Sequence, residues 1–474
     1  MLFSSLEFLY LYLPVTLLLY FAVPFRFRNL VLLLVSLVFY GWGEPAYLFL
    51  MVATILIDYA AGVLIERSRE NKSRAKAWLI AAVIVNLCFL GFFKYSGFIL
   101  DNLRAIPALS GLPSFALPLP IGISFYTFQA LSYVIDVYRR EVSAQRDPIA
   151  FGAYVTLFPQ LIAGPIVRYR DVDEQLTRRD HSVTTLASGL RTFVCGLAKK
   201  VLLANTAGEL WASVRDMPTD RLTVAMAWFG AVCYTIQIYF DFSGYSDMAI
   251  GLGRMLGFRF PENFYYPLTA RSLTDYWRRW HITLSSWFRE YVYIPLGGNR
   301  KGKGRAYLNL LVVWALTGLW HGASWNFVIW GLYFFVLLAL ERLFLGKWLE
   351  RLPRAFGHVW TIVAVVFSFY IFVFDGSLPT LDGAAAIEYL GAMFGRGAAG
   401  VANGVFVYEL VRNLPLLAIC AVGMTPLPKR LFWRLYERHR IMDAVTIVLC
   451  VLGLLVSTAY LVDSSYNPFL YFRF

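Results

Sequence analysis

Two histidines are the residues of this chain best suited to chemistry. His321 lies in segment 317–325, between two apolar stretches and hence at the depth of a lipid bilayer. An ionisable side chain at that depth is costly, so it marks a functional site unless it is a structural histidine bonded to a helix carbonyl. His281 lies in an earlier segment rich in tryptophan and arginine. For His281 the alternative is a packed, hydrogen-bonded imidazole.

The sequence lacks several other reactive motifs, which restricts the kinds of reaction that the chain could catalyse. The sequence has no GxSxG nucleophile elbow and no HExxH metal motif. Its five cysteines are scattered without a CxxC pair, which argues against a disulfide framework or a metal site. We therefore expect no metal and no permanently bound cofactor. What remains is a neutral imidazole that accepts a proton from a hydroxyl group as it attacks an activated acyl group.

The segment around His281 has the pattern of an amphipathic helix. Read as one helix over residues 276–291, it gathers seven residues, mostly aromatic, on one face, and arginines on the other. Such a helix is typical of a membrane interface, with its arginines facing headgroups or an anionic ligand. The aromatic face comprises Trp277, Trp280, His281, Leu284, Trp287, Phe288 and Tyr291, and the polar face includes Arg278, Arg279 and Arg289.

The glycine-rich stretch 294–305 has GxxxxGK spacing but is not predicted to be a phosphate loop. Gly304 stands where such a loop needs a serine or threonine for magnesium, and no strand precedes the stretch. A basic surface loop that attracts a polyanionic donor is the alternative. Asn299 in this loop, and Trp320 beside His321, are further candidates for contact with donor or substrate.

Polar residues at the end of another apolar stretch form a third candidate. Asp241 and Asp247 lie six positions apart, which matches no same-face helical spacing. A break at Gly244 would bring them together with Ser243 as part of a site. The alternative is that they cap a helix.

Composition places these residues in a membrane. Hydrophobic residues make up 59% of the 474 residues and charged residues 15%, against about 45–50% and about 25% in soluble domains. The net charge of +13 is concentrated in short loops, as expected for cytoplasmic loops rather than for a nucleic-acid surface. The first apolar stretch is interpreted as an anchor and not as a removed signal peptide.

We expect an all-α polytopic membrane protein with about ten to twelve membrane segments. The apolar stretches cover 6–24, 30–42, 46–65, 77–97, 119–137, 149–165, 184–204, 222–242, 309–345 (two passes broken near His321), 359–374, 404–424 and 441–462. They form a single predicted domain, residues 1–474.

Two stretches do not fit simple helix alternation. Residues 149–166 contain Pro159 and Gly164-Pro165 and are followed at once by arginines, and residues 118–122 contain two prolines. Broken backbone at bilayer depth is tolerated only inside the protein or along a water-filled cavity. We therefore predict re-entrant segments around an internal cavity. No internal repeat is visible, which argues mildly against a repeat-built transporter.

With these motifs in view, the chain resembles the membrane-bound O-acyltransferases, and within them the bacterial alginate O-acetyltransferase branch. The match is densest over about 118–331. It is carried by the two histidine segments and four others: Tyr276–His281, Gly318–Gly322, Gln237–Asp247, Phe158–Pro165, Tyr291–Arg300 and Tyr466–Phe474.

The resemblance implies several expectations. It implies re-entrant loops around a central tunnel, His321 as the catalytic histidine and His281 as a supporting one. It implies a cytoplasmic donor, expected to be acetyl-CoA, and a bacterial inner-membrane location. It also implies a periplasmic partner with a serine hydrolase-like (SGNH) domain that passes the acetyl group to a polysaccharide.

Three points stay open in the sequence. Segment 371–376 departs from the family pattern, so the acceptor could be alginate, cellulose, peptidoglycan or another exopolysaccharide. A transporter or polysaccharide-export component, and D-alanyl transfer to teichoic acid, are the alternative functions. The aromatic tail Phe469–Phe474 is a candidate contact for the partner, or a simple interfacial anchor.

Overall fold

The computed structural model of the protein describes residues 1–113, 117–373, 383–463, 466–468 and 470. These residues form helices and no strand, which confirms the predicted all-α class. Apolar segments in lipid must satisfy their backbone groups internally, and a helix does so within one segment.

The helices run in this order: α1 (Leu13–Ala22), α2 (Phe25–Gly43), α3 (Leu48–Arg67), α4 (Lys72–Leu90), α5 (Ser96–Arg104), α6 (Ile123–Arg139), α7 (Pro148–Thr156), α8 (Phe158–Leu161), α9 (Tyr169–Thr177), α10 (Val183–Ala198), α11 (Asn205–Arg215), α12 (Val224–Met255), α13 (Leu273–Trp277), α14 (Ile282–Phe288), α15 (Lys303–His321), α16 (Trp325–Leu340), α17 (Gly346–Arg351), α18 (Arg354–Val373), α19 (Gly383–Met393), α20 (Gly404–Arg412), α21 (Leu414–Gly423), α22 (Leu427–Arg438) and α23 (Ile441–Asp463). Turns of π-helix occur at Phe8–Tyr12, Gly91–Tyr95, Lys199–Ala204, Arg289–Tyr293 and Glu341–Leu345.

The chain is a multi-pass membrane protein, but the predicted ten to twelve segments are not confirmed. By length and composition, 6 helical stretches of the described chain are able to cross a membrane, and 7 if the bent pair α20–α21 counts as one. The other apolar stretches are shorter, broken or buried inside the protein. The six are Phe25–Gly43, Pro45–Arg67, Lys72–Arg104, Trp325–Arg351, Arg354–Val373 and Ile441–Asp463.

The long helix α12 forms the centre of the molecule and packs closely against α10. A Cβ on Gly244 would lie 2.7 Å from the carbonyl oxygen of Gly196. Gly251, seven residues later in α12, faces Gly189 in the same way. Glycine is required at these positions because the two backbones touch. The predicted break at Gly244 was wrong: α12 continues through it without interruption.

Both predicted interruptions are present, and they contact each other. Helix α7 ends at Thr156, and a side chain bonds the backbone that follows: the Phe158 amide donates to Ser36 Oγ at 3.1 Å. Gly122, before α6, has φ of 75°, and a Cβ there would lie 2.6 Å from the carbonyl oxygen of Leu161. The broken segments 118–122 and 157–161 thus pack together inside the protein.

The two ends of the chain meet at a buried ion pair. Lys200 Nζ lies 2.8 Å from Asp241 Oδ1, with both side chains 2% exposed, and also donates to the carbonyl oxygen of Pro468. The amide of Leu470 donates to Asp241 Oδ2 at 3.0 Å, and Asn467 Nδ2 donates to the carbonyl oxygen of Ser4 at 2.8 Å. Of the predicted contact tail Phe469–Phe474, all residues but Leu470 lie outside the described residues.

Candidate active site

His281 lies at a break in the segment that the sequence predicted to be one helix. Helix α13 ends at Trp277, and His281 has a left-handed backbone with φ of 44° before α14 begins at Ile282. The continuous helix 276–291 was therefore a wrong prediction, although the residues of its aromatic face are buried as expected. A non-glycine residue in this conformation is strained, and such strain is found at functional sites.

Asn263 holds His281 in this conformation. Its Oδ1 accepts from His281 Nδ1 at 3.1 Å and from Thr283 Oγ1 at 2.9 Å, and its carbonyl oxygen accepts from the Ile282 amide at 3.0 Å. Its Nδ2 donates to Ser246 Oγ at 3.1 Å. Because an amide oxygen only accepts, Nδ1 of His281 carries the proton and Nε2 is the basic nitrogen. No pattern in the sequence indicated Asn263, because it lies in an irregular loop.

His321 is the last residue of α15, and the helical structure is interrupted after it, as predicted. Its side chain is 4% exposed. Its ring lies edge-on to three aromatic rings, with centroids 5.1 Å from Trp320, 5.0 Å from Trp330 and 5.2 Å from Phe372. Phe372 belongs to segment 371–376, where the sequence departs from the family pattern. This segment therefore contacts the candidate base, His321, through Phe372. Residues 374–376 lie outside the described residues.

The structure brings the two histidines to one indole ring. The Trp320 ring centroid lies 6.0 Å from that of His281 and 5.1 Å from that of His321. Phe125 and Phe128 of α6 pack on the same indole at 5.3 Å and 5.6 Å. The predicted pair of histidines is thus a single buried centre.

Lys94 is a member of this centre that sequence reasoning missed. It is 7% exposed, and its Nζ donates to the carbonyl oxygen of Trp320 and, at 3.1 Å, to Ser124 Oγ. The signal was available: a lysine inside the apolar stretch 77–97, three residues before its end, is an ionisable residue in a membrane segment, as is the histidine in 317–325.

The carboxylates Asp241 and Asp247 do not take the predicted positions. They neither cap a helix nor fold together, because α12 carries them on different faces to two consecutive lysines. Asp241 pairs with Lys200, and Asp247 Oδ2 lies 2.6 Å from Lys199 Nζ. Ser243 and Asp247 line a cavity of about 650 Å³ that reaches Ser246 and Asn263 and whose wall carries Arg191, Lys199, Arg254 and Lys429.

A second cavity, of about 320 Å³, contains two of the donor-binding candidates. It is lined by Trp277, Arg278, Arg289, Arg342, Trp314 and Thr317, together with other apolar residues. Thr317 lies one helical turn before His321. The candidates Arg279 and Asn299 do not line this cavity: Arg279 Nε pairs with Asp275 at 2.9 Å, and Asn299 is exposed and bonded to Tyr293 and Arg342.

Comparison with known proteins decides the family. The sequence model of the MBOAT, membrane-bound O-acyltransferase, family matches residues 139–381, which is half of the chain and includes both histidines. The chain belongs to this family. It is therefore an O-acyltransferase, and the transporter interpretation is set aside.

Three relatives show how far the likeness extends. A protein of Pseudomonas putida named "probable alginate O-acetylase" is 41% identical and is matched over 100% of both chains. One of the same name from Pseudomonas aeruginosa is 45% identical over 78% of this chain and 72% of its own. A peptidoglycan O-acetyltransferase of Helicobacter pylori is 32% identical over 100% of this chain and 98% of its own.

Proposed function

We propose that this protein is a bacterial inner-membrane O-acetyltransferase that takes an acetyl group from cytoplasmic acetyl-CoA for O-acetylation of an extracytoplasmic polysaccharide. The observation that carries this proposal is the pair of buried imidazoles on the Trp320 indole. The names of the relatives support acetyl as the group and polysaccharide as the final acceptor.

In the proposed reaction His321 is the general base. It removes the proton from the acceptor hydroxyl as that oxygen attacks the thioester carbonyl carbon. The carbon–sulfur bond then breaks, and the leaving coenzyme A thiolate takes up the proton that His321 held. A positioned base contributes about 10²–10⁴-fold to such a step. His281, oriented by Asn263, supports the centre from the other side of Trp320.

The 320 Å³ cavity is the proposed route of the donor. Arg278, Arg289 and Arg342 provide positive charge on its wall, which attracts a polyanion such as coenzyme A. Trp277 and Trp314 form an apolar wall in the direction of Thr317 and His321. Arg278 replaces Arg279 as the donor contact to test, because Arg279 is already paired with Asp275.

The proposal includes a relay to a second protein. Because the basic loops are expected to be cytoplasmic, the sequence intervals 43–45 and 98–118 are expected on the outer side, and they contain few residues to hold a long polymer. A periplasmic partner with a serine hydrolase-like domain accepts the acetyl group on its serine and delivers it to the polysaccharide. Alginate is the first acceptor to test and peptidoglycan the second, in the order of identity to the named relatives.

The test uses purified protein in lipid nanodiscs with radiolabelled acetyl-CoA and either alginate or peptidoglycan fragments. We expect labelled polymer only when a periplasmic serine hydrolase-like acetyltransferase is added. His321→Ala should lower labelling by about 10²–10⁴-fold, whereas His439→Ala, an exposed histidine, should not change it. Normal labelling by well-folded His321→Ala would refute the role of His321 as the general base. Efficient labelling without the partner would refute the relay.

The same assay tests the donor route. Arg278→Glu should raise the KM for acetyl-CoA more than it lowers kcat, because the arginine attracts the ground-state donor. Arg440→Glu, an exposed arginine outside the described cavities, is the matched control. An effect of Arg278→Glu confined to kcat would contradict the assigned role.

A further inference from the structure

Helix α15 ends at the candidate base, and its end is held by a turn of another helix. The stretch Lys72–Arg104 is helical throughout but contains a π-helical turn, Gly91–Tyr95. A π-turn inserts an extra residue, changes the direction of the side chains that follow, and occurs often at functional sites. Here it directs two consecutive side chains, Lys94 and Tyr95, to the end of α15.

These two side chains bond two consecutive carbonyl groups. Lys94 Nζ donates to the carbonyl oxygen of Trp320, and Tyr95 Oη donates to that of Leu319 at 2.7 Å. Lys94 is fixed on its other side by Ser124 Oγ at 3.1 Å, from the first turn of α6. The contact therefore joins three segments of the chain directly beside His321.

Both carbonyl groups need such partners. The last four carbonyl groups of a helix have no amide partner within it. At bilayer depth, where there is no water, each unsatisfied group costs several kcal/mol. A cation is also favourable at the negative end of the helix dipole. Two donors on one turn satisfy these carbonyls and at the same time fix the direction in which α15 ends.

We propose that Lys94 is a positioning residue for His321, and that with Tyr95 it forms a two-point clamp on the end of α15. The proposal rests on the proposed function, since it assigns to His321 the role of base. His321 directly follows Trp320, whose carbonyl the lysine holds, so a rotation of that peptide group moves the imidazole. A displacement of about 1 Å in a reacting group can lower a rate about 10²-fold.

The first test measures kcat and KM of acetyl transfer per folded molecule. Lys94→Met keeps an unbranched side chain, one atom shorter, and removes the donor, and we expect kcat to fall about 10²-fold with little change in KM. Lys94→Arg should recover part of kcat, and Tyr95→Phe should lower it less than Lys94→Met. Lys76→Met makes the same substitution at an exposed position of α4 and should change neither constant.

A double variant shows whether the lysine acts through the histidine. If it does, Lys94→Met combined with His321→Ala should be no slower than His321→Ala alone, because residues that act as a unit are not additive. A further loss in the double variant would overturn the positioning role. So would normal kcat in folded Lys94→Met, or a loss of yield and thermal stability without a loss of kcat.

The second test needs no acetyl transfer and so separates this inference from the proposed function. Imidazole ¹⁵N resonances of His321 are assigned as those absent from His321→Ala. They should shift and broaden in Lys94→Met, remain near their positions in Lys94→Arg, and stay unchanged in Lys76→Met. Unchanged His321 resonances in Lys94→Met would refute the clamp, whether or not the protein transfers acetyl groups.

Discussion

The histidine centre and the C-terminal helices differ in what they bury. In the centre, α12 is buried along most of its length, and its neighbours carry buried polar groups such as Asn263, Lys94 and Lys200. In the C-terminal region, α20 and α22 bury no residue, and the membrane-spanning window of α23 is 6% buried. One region is packed against itself and the other offers its surface to lipid or to another protein.

This difference predicts which residues can be substituted with little loss of stability or activity. A buried polar group away from water must keep its partner, because an unpartnered one costs much more than an exposed one. The same type of residue should therefore matter in the centre and be nearly neutral in the C-terminal helices. Three pairs of matched substitutions test this comparison.

The largest difference is expected for ion pairs. Lys200→Met leaves the Asp241 carboxylate buried without its cation and releases the contact with Pro468, which should destabilise the protein by about 3–5 kcal/mol. Arg412→Met removes a partner of Glu409 at 4.0 Å on an exposed arginine side chain, and exposed pairs contribute about 0–1 kcal/mol. Thermal unfolding in the same detergent compares the two, and equal losses would contradict the distinction.

The second pair concerns asparagines. Asn263→Ala removes the acceptor of His281 Nδ1, so we expect kcat of acetyl transfer to fall about 10²-fold as the imidazole loses its orientation. Asn403→Ala removes the N-cap of α20, where Asn403 accepts from the Phe406 amide at 2.9 Å, and should cost about 1 kcal/mol of stability with kcat unchanged. Unaltered kcat in folded Asn263→Ala would show that His281 needs no such support.

The third and smallest difference is expected for glycines. Gly244→Ala places a Cβ 2.7 Å from the Gly196 carbonyl oxygen and should separate α10 from α12 at a cost of about 1–3 kcal/mol. Gly404→Ala meets no atom within 4 Å and should leave stability unchanged or slightly raised. Unfolding temperatures measure both, and a harmless Gly244→Ala would mean that the two helices adjust easily.

Sequence patterns predicted those features that depend on one segment at a time. The break after His321 follows from Gly322-Ala323-Ser324, and the break at Leu157 precedes Pro159 in the chain. The aromatic face around His281 was predicted correctly even though the helix was not. Periodicity could not reveal that the helix stops at Trp277, because the cause is a loop residue, Asn263, that binds the backbone after His281.

The predictions that were wrong, and the residue that was missed, all depend on contacts between distant segments. Lys199 and Lys200, the partners of Asp247 and Asp241, lie on another helix. The segment around the two aspartates does not show these partners, so by itself it suggested only a helix cap or a local fold. Lys94 stands out locally as an ionisable residue in an apolar stretch, but its contact with Trp320 joins residues far apart in sequence, which no local pattern reveals. The predicted number of membrane segments is not confirmed, because an apolar helix buried in protein has the same composition as one that faces lipid.

The sequence by itself determined the all-α membrane class and the family, and it identified the two histidines as candidate site residues. Apolar stretches, short motifs and isolated ionisable residues are local properties of a chain. Tertiary structure alone decided which groups surround those histidines: Asn263 on His281, Trp320 between the two rings, and Lys94 and Tyr95 on the end of α15. The physical reason is that hydrogen-bond partners and helix–helix contacts are fixed by packing in three dimensions. Spacing along the chain does not encode them.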